Sequence, residues 1–270
     1  MKADLHIHST TSDGCESIEQ LVALALSKGL DAIAITDHDT CTHMAYIEQL
    51  PVVPGLIVLP GVEMSAIHCE TNTRVHILGY HISKPEIIQQ LTRPLLEARN
   101  KNSERQALCL LEMGFSLDMD KLSRADGKYL YKQHLMDWLV QTQQVEEMFG
   151  SFYHNTFKRG GPCAFDIDYT DAFDAVRAIK EAGGLAVLAH PGQQQNFWLI
   201  NELVSVGLDG LEFNHHTHSE NDHRVLREYA ELYGLFLTGG SDHHGRYEPQ
   251  PYVIGDFLSE PCGVEAILLR

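Results

Sequence analysis

The sequence predicts an α/β fold built on a parallel sheet or barrel. The length of 270 residues suits one barrel-sized domain or two small ones. A hydrophobic content of 44% is enough to form a sizeable core. Short β-rich runs alternate with helix-length amphipathic segments, which is typical of parallel strands joined by helical crossovers.

The predicted elements follow one another along most of the chain. The first strand is predicted at residues 3–8. Ser17-Ile18-Glu19-Gln20 has the pattern of a capping box, and the helix that it opens is expected to end at Gly29. Further strands are predicted at residues 31–36, 56–59, 75–80, 185–190, 210–213 and 235–238, and further helices at residues 171–182, 196–206 and 219–233.

Residues 85–165 interrupt this alternation. They contain helical patterns at residues 92–113 and 132–149 and no convincing strand. We therefore predict a barrel domain formed by residues 1–84 and 166–270, with a helical insertion at residues 85–165. The insertion could be a lid or substrate subdomain, or a purely structural cover, and the sequence leaves both open.

Charge and cysteine usage exclude some classes of function. With 37 acidic and 20 basic side chains the formal net charge is −17, which disfavours nucleic-acid packaging and binding to anionic membrane surfaces. We expect neither a secretory leader nor a membrane span, because Met1-Lys2-Ala3-Asp4-Leu5-His6 has no apolar stretch and no apolar run is long enough to span a membrane. The six cysteines are scattered and form no C-x-x-C pair, so we expect reduced thiols and a cytoplasmic location.

His, Asp and Glu side chains cluster where the predicted strands end. In Asp4-Leu5-His6-Ile7-His8 the two-residue period of a strand sends Asp4, His6 and His8 to one face. The other strand ends carry Ser12-Asp13-Gly14, Thr36-Asp37-His38-Asp39, Gly61-Val62-Glu63, His76, Ala189-His190-Pro191 and Ser241-Asp242-His243-His244-Gly245. Pro191 is expected to hold His190 extended. In β/α barrels this rim is where functional sites are built.

These side chains predict a metal site. Imidazoles together with carboxylates suit Zn, Mn or Fe. The candidate ligands outnumber the coordination positions of one ion, so we expect more than one, and Glu63 could bridge two of them. Bound divalent cations would also let an acidic protein accept a phosphorylated substrate.

The ordered set of these motifs, spanning nearly the whole predicted barrel, resembles that of the PHP (polymerase and histidinol phosphatase) family. The resemblance implies a distorted (β/α)7 TIM-like barrel with a trinuclear centre, holding two to three divalent ions (Mn, Fe or Zn). It implies one metal on His6, His8, Glu63 and Asp242, a second on Glu63, His76 and His190, and a third on Asp13, His38 and His244. Asp37 would orient a ligand histidine.

Within the family, the chain resembles the small phosphoesterases that act on nucleotides and phosphoribosyl compounds. The grounds are the insertion after His76, Glu212 followed by His215 and His218, and the helix carrying Arg99 through Arg105. Lys132-Gln133-His134 replaces the Arg-Pro-His, and Asn214-His215-His216 the Tyr-His-Pro, expected in nucleotide-bisphosphate phosphatases. The implied function is hydrolysis of a 3',5'-bisphosphonucleotide or phosphoribosyl 1,2-cyclic phosphate by a metal-bridging hydroxide.

Residues outside the metal set must grip the phosphate and protonate the leaving oxygen. The catalytic candidates are His218, Arg159 and His134, and the substrate-binding candidates are Arg99, Lys132, Arg159 and His218. His218 could instead be a solvated residue at the start of a helix, and Arg99 could lie on the solvated face of a long helix.

Three other functions remain open. One is a histidinol-phosphate phosphatase, which shares the metal set. Another is a non-catalytic metal-binding or polymerase-associated module, although all nine predicted ligands are present. A single-strand exonuclease is disfavoured by the net charge of −17 and by the lack of a basic stripe with interleaved aromatic residues. The expected partner is a small phosphorylated metabolite, and the oligomeric state stays open.

Overall fold

A nearly closed sheet is the centre of a computed structural model, which describes residues 1–122, 128–158, 160–247 and 252–268. Its strands follow the order β1 (Ala3–Ile7), β2 (Ala32–Ile35), β3 (Ile57–His68), β4 (Thr73–Tyr80), β6 (Leu185–Leu188), β7 (Gly210–Asn214) and β8 (Phe236–Gly239), and the short β5 (Thr170–Asp171) pairs with β3. At the closing edge the N–H of His8 donates to the carbonyl of His243 at 2.9 Å. The predicted α/β barrel class is confirmed.

The helices of the described residues are α1 (Ile18–Ser27), α2 (Met44–Glu48), α3 (Pro85–Glu112), α4 (Met119–Leu122), α5 (Lys132–Gln141), α6 (Ser151–Phe157), α7 (Ala172–Glu181), α8 (Pro191–Gln194), α9 (Ile200–Ser205), α10 (Glu220–Tyr233) and α11 (Pro261–Leu268), with 3₁₀ turns at Phe197–Leu199 and Gly245–Tyr247. The predicted capping box of α1 is confirmed. The N–H of Gln20 donates to Ser17 Oγ at 3.3 Å, and the N–H of Ser17 donates to Gln20 Oε1 at 2.8 Å.

One strand runs against the others. The pairs β1–β2, β2–β3, β6–β7 and β7–β8 are parallel, whereas β4 is antiparallel to both β3 and β6. The expectation of parallel strands throughout is therefore wrong for β4. β3 runs to His68, well past the predicted end at residue 59, and a short turn leads directly into β4. A hairpin replaces one helical crossover because so short a connection joins only antiparallel strands.

Apolar residues fill the inside of the sheet and cover its outer face. Leu5, Leu78, Tyr80 and Val187 share one buried cluster although β1 and β6 are not neighbours, so this cluster lies inside the barrel. A second buried cluster packs the other faces of β3 and β4 against α7, α9 and α10, and a third packs β1 and β2 against α1. The barrel interior is thus a packed core, and polar side chains are displaced to its rim.

The chain divides into two units. Unit 1 comprises Met1–Thr92, Tyr169–Gly245 and Tyr252–Arg270, and unit 2 comprises Arg93–Asp168 and Arg246–Pro251. Unit 2 contains most of α3 together with α4, α5 and α6, packed around its own apolar core. Within the described ranges, no helix combines the length and apolar character that crossing a membrane requires.

Candidate metal centre

The first two histidines of the candidate site come from β1. The pairing of β1 with β2 shifts register between Asp4 and Ile7, so Asp4 does not join His6 and His8 as the strand period predicts. The Asp4 carboxylate instead accepts hydrogen bonds from the N–H and hydroxyl of Ser241, at 3.0 and 2.7 Å, and from the N–H of Gly255, at 2.8 Å. His6 and His8 are fully buried.

Glu63 lies at the middle of the cluster. It is in the interior of β3, opposite Leu78 of β4, and its side chain is 1% exposed. Five imidazoles surround its carboxylate: His76 Nδ1 and His190 Nε2 lie 2.8 and 2.9 Å from Oε1, while His6 Nε2, His8 Nε2 and His38 Nδ1 lie 3.3, 3.2 and 3.1 Å from Oε2. Each carboxylate oxygen thus faces its own set of nitrogen ligands, which is the arrangement a bridging carboxylate requires.

All nine predicted metal ligands fall in groups that could hold an ion. The potential ligand atoms lie within 4.8 Å of one another in four groups: His8, Asp13, His38 and His244; His6, His8, Glu63 and Asp242; His6, His190 and Glu212; and His38, Glu63 and His76. The groups share members, so the ions would be neighbours. The second group has the composition that the resemblance implies for one metal.

The geometry around His6 and His8 fits a cation. Their Nε2 atoms lie 3.2 Å apart, and Asp242 Oδ1 lies 3.3 and 3.1 Å from them. Asp242 Oδ1 and Glu63 Oε2 are buried and make no hydrogen bond of acceptable geometry. Buried oxygens without donors are costly unless a cation satisfies them. Imidazole nitrogen and carboxylate oxygen are ligands of Zn, Mn and Fe.

The buried acids and histidines of the cluster shift one another's pKa values. Burial opposes ionisation of Glu63 and Asp242, but neighbouring imidazoles hold the pKa of both carboxyls well below the usual range. Burial also works against the charged form of His6, yet Glu212, Asp242 and Glu63 raise its pKa well above the usual value. The pKa of His8 and that of His190 are raised in the same way by acidic neighbours that outweigh burial.

These shifts predict how stability without metal depends on pH. A histidine whose folded pKa is raised stabilises the fold fully below its unfolded pKa of about 6.5, and that contribution is lost as pH rises through the folded pKa. The melting temperature of the metal-free chain should therefore fall as the pH rises from about 6.5 into the alkaline range, because His6, His8 and His190 lose their protons there. With Mn bound, the neutral imidazoles are ligands, and the fall should be smaller or absent. Melting curves in chelator and in Mn test this, and a metal-free melting temperature that rises over this range would contradict it.

Glu212 is a buried site residue that the sequence did not assign. On β7, its Oε1 accepts a hydrogen bond from His6 Nδ1 at 2.9 Å, and its Oε2 accepts one from the backbone N–H of His190 at 2.8 Å. Burial opposes its charge, but His6 more than compensates and the pKa falls to about 2. Glu212 therefore orients one candidate ligand directly and another through its backbone. In the sequence, the sign of this role is a single acidic residue among the apolar residues of β7.

Asp37 holds the loop that carries Asp13, which differs from the role implied by the resemblance. Its carboxylate accepts hydrogen bonds from the N–H groups of Ser9 and Ser12, at 2.8 and 3.2 Å, and from both hydroxyls, at 2.6 Å each. The ring of the buried His43 lies 3.4 Å from Asp37 Oδ2. Asp37 is thus a fixed anchor beneath the loop.

Asp37→Asn should loosen this loop. The amide would present a donor where two hydroxyls and two backbone N–H groups need acceptors. We expect fewer bound metals per chain and a kcat/KM lower by roughly 10- to 100-fold, the usual cost of losing an outer-shell partner. Elemental analysis and steady-state kinetics measure both. Asp174→Asn, on the exposed face of α7, is the matched control. Unchanged metal content in Asp37→Asn would contradict this role.

Two candidate ligands have unusual backbone conformations. His190 has φ 27° and ψ 57°, so the expectation that Pro191 holds it extended is wrong. Asp242 has φ 54°. The hydrogen bond from the His190 N–H to Glu212 stabilises this conformation, which turns the imidazole towards Glu63. Left-handed backbone at non-glycine residues is costly and is concentrated at functional sites.

His218, a predicted catalytic residue, uses both ring nitrogens on backbone groups. Nδ1 donates to the carbonyl of Phe213 at 2.8 Å, and Nε2 accepts from the N–H of Gly192 at 3.1 Å. Burial lowers its pKa to about 4. A neutral imidazole fixed in this way braces the start of α8. Its predicted catalytic role therefore has no support from this geometry.

A different histidine of the same loop faces the cluster. His215 is 1% exposed, and its Nδ1 lies 2.8 Å from Thr217 Oγ1 and 3.3 Å from the N–H of Thr217. The Thr217 hydroxyl and N–H can both donate to Nδ1, and in that tautomer the ring proton is on Nε2. That Nε2 makes no hydrogen bond and lies 3.6 Å from Asp242 Oδ2. In the sequence, His215 is noted only as part of the resemblance to the small phosphoesterases of the PHP family.

The other predicted substrate contacts lie in unit 2 or outside the described residues. The Arg99 guanidinium carbon lies 5.1 Å from the ring centre of Tyr131, and Lys132 Nζ lies 5.8 Å from that of Tyr153. His134 Nδ1 accepts from the N–H of Tyr131 at 3.0 Å. Arg159 lies outside the described residues. The roles of these four residues stay predictions.

Comparisons with known proteins agree with this architecture. The family model of the PHP domain matches residues 4–247. The phosphoribosyl 1,2-cyclic phosphate 1,2-diphosphodiesterase of Eggerthella lenta is 41% identical over 257 residues, covering 94% of this chain and 98% of that protein. The 5'-3' exoribonuclease Rnm of Escherichia coli is 29% identical over 281 residues, covering 98% and 92%.

Among solved structures, a Bifidobacterium adolescentis protein assigned as a metal-dependent phosphoesterase superposes with a TM-score of 0.88 at 27% identity, over 99% of this chain and 95% of that one. These relatives confirm the predicted phosphoesterase class. The family model spans most of the chain and includes every predicted metal ligand, so the chain belongs to the PHP domain family.

Proposed function

We propose that this chain is a metal-dependent hydrolase of small phosphate esters, with phosphoribosyl 1,2-cyclic phosphate as the first candidate substrate and 3',5'-bisphosphonucleotides as the second. The convergence of five imidazoles on the two oxygens of buried Glu63 carries the proposal. The substrate assignment is supported by the E. lenta relative at 41% identity.

In this proposal nine side chains hold two to three Mn, Fe or Zn ions: His6, His8, Asp13, His38, Glu63, His76, His190, Asp242 and His244. When bound, such ions polarise phosphoryl oxygens and lower the pKa of a coordinated water, which supplies both nucleophile and charge stabilisation. Glu212 keeps the Nε2 of His6 facing inward by binding its Nδ1. Asp37 fixes the loop that brings Asp13 to the cluster.

His215 is the side chain of this chain best placed to hold a proton near the reacting phosphate. Its Nε2–H faces Asp242 and is not used by any protein acceptor of the described residues. In the proposed reaction it donates a hydrogen bond to an ester oxygen, which assists departure of the alcohol. It takes the place that sequence reasoning gave to His218.

A small substrate is favoured over a polymer by charge. The net charge of −17 repels polyanions, whereas cations concentrated in one cleft attract a single phosphorylated molecule.

The six cysteines are all free, which supports the proposed cytoplasmic location. The second candidate function is 5'-3' hydrolysis of RNA, and it is favoured by the 29% identical E. coli relative.

A substrate panel tests the proposal. The chain, loaded with Mn, is assayed on phosphoribosyl 1,2-cyclic phosphate, adenosine 3',5'-bisphosphate, histidinol phosphate and a 5'-phosphorylated oligoribonucleotide. We expect kcat/KM on one of the first two to exceed the others by at least about a hundredfold. Preferred mononucleotide release from the oligomer would support the second function. Preferred hydrolysis of histidinol phosphate would point to that phosphatase, and no turnover of any ester would refute the enzyme.

A further inference from the structure

Strand β4 carries a basic residue close in sequence to a candidate metal ligand. Arg74 precedes His76 by two residues. Val75 and Ile77 pack outward in the apolar cluster next to α7, so strand alternation puts Arg74 and His76 on the opposite face. His76 directs Nδ1 to Glu63 on this face. Arg74 therefore lies on the same face of β4 as His76, about 7 Å further along the strand from the barrel interior.

The centre is most open to solvent at His76. Its side chain is 21% exposed, the highest value among the nine candidate ligands, whereas His6 and His8 are completely covered. A substrate that reaches the ligands from solvent at this point passes the strand position of Arg74.

The backbone at Arg74 is fixed relative to two candidate ligands. Its carbonyl accepts a hydrogen bond from Asn196 Nδ2 at 3.2 Å. The N–H of His76 donates to Gln194 Oε1 at 3.0 Å, and Gln194 belongs to the helix that directly follows His190. These bonds tie the start of β4 to the segment after His190, so the base of the Arg74 side chain is held in place.

The Arg74 side chain has an aromatic support and an unused donor. Its guanidinium carbon lies 3.5 Å from the ring centre of Tyr169, a stacked arrangement that leaves the N–H groups directed sideways in their plane. Nη1 is buried without a hydrogen bond. In the part of the chain that the structure describes, no carboxylate pairs with Arg74, although Arg177, Lys180 and Arg224 pair with Asp174, Asp209 and Glu228. An unpaired cation in so acidic a protein is suited to an anionic ligand.

We propose that Arg74 binds the second, non-reacting phosphate of the substrate. This inference rests on the proposed function, in which both candidate substrates carry two phosphate groups joined through a pentose. The cluster around Glu63 takes the phosphate that reacts, and the Arg74 guanidinium takes the other through paired N–H donors, which match phosphate geometry. Arg74 thereby selects substrates with a distal phosphate over esters that have only one.

The test compares two substrates that differ only in the distal phosphate: phosphoribosyl 1,2-cyclic phosphate, and ribose 1,2-cyclic phosphate without the 5-phosphate. Arg74→Gln should lower kcat/KM on the first by roughly 10- to 100-fold, mainly through KM, and change kcat/KM on the second less than about twofold. Arg74→Lys should recover part of the loss, because it keeps the charge without the paired donors. Arg177→Gln, on exposed α7, is the matched control. Equal losses on both substrates, or none on either, would overturn the proposal.

Equilibrium binding separates this inference from the proposed function. Ribose 5-phosphate carries only the distal phosphate, and calorimetry should show it binding at least about tenfold more weakly to Arg74→Gln than to the wild type. A wild type that binds ribose 5-phosphate more tightly than Arg74→Gln does, but hydrolyses no ester, would support the phosphate site and refute the proposed function. Equal affinity of the wild type and Arg74→Gln would refute the phosphate site even if the enzyme is active.

Discussion

Glu63→Gln is expected to lower kcat/KM for phosphate-ester hydrolysis by at least about a thousandfold, because metal ions supply several kcal/mol of charge stabilisation and each 1.36 kcal/mol is tenfold in rate. Both Glu63 oxygens face candidate ligands: His76 and His190 on one side, His6, His8 and His38 on the other. The amide offers one weaker oxygen and places an NH₂ group among imidazoles that must act as ligands.

Kinetics with Mn in excess and elemental analysis of the purified variant measure this effect. Glu70→Gln is the matched control, because Glu70 is exposed in the turn between β3 and β4. The variant should contain fewer metal ions per chain than the wild type. Glu63→Gln that retains wild-type metal content and more than about a tenth of wild-type kcat/KM would contradict a bridging role.

Removal of the metals is expected to abolish hydrolysis and to lower the melting temperature by roughly 8 °C or more. A ligand present at a thousand times its Kd stabilises the native state by about 4 kcal/mol, and each kcal/mol is worth roughly 2 °C in a chain of this size. The native state brings buried carboxylates and imidazoles close together, whereas the unfolded chain does not. The cations should therefore bind the native state more tightly than the unfolded chain and stabilise it.

Differential scanning calorimetry before and after dialysis against a chelator measures this change, and readdition of Mn should restore both activity and melting temperature. Mg serves as the comparison, since it prefers oxygen ligands and should restore less. Full activity and an unchanged melting temperature in metal-free protein would show that the cluster is not a metal site.

Much of the barrel could be predicted because local patterns determine it. The capping box of Ser17 and Gln20 is formed by residues three apart, and the apolar periods of α7 and α10 are visible without tertiary context. The direction of β4 could not be predicted, because an alternating strand has the same pattern whichever way it runs. The underestimated length of β3 hid the hairpin that reverses the chain before His76.

The candidate ligands could be predicted because six predicted strand ends repeat the same residue types. The residues that position these ligands could not be predicted in the same way. Glu212 and His215 act through contacts with His6 and Asp242, which are distant in sequence. Asp37 follows a strand, as the candidate ligands His38 and His190 do. Its four hydrogen bonds to Ser9 and Ser12, which the sequence does not show, identify it as an anchor of the loop. The left-handed conformation of His190 depends on Glu212, so the Pro191 rule alone gave the wrong backbone.

Anomalous diffraction from crystals of the chain grown with Mn tests the metal centre most directly. We expect two or three Mn peaks, each within roughly 2.0–2.4 Å of nitrogen or oxygen atoms of the nine candidate ligands. Two of the Mn ions should share the Glu63 carboxylate as a ligand, and one of these two should also be bound by His6 and His8. No anomalous peak within this cluster, or Mn bound only elsewhere on the chain, would show that these residues are not a metal centre.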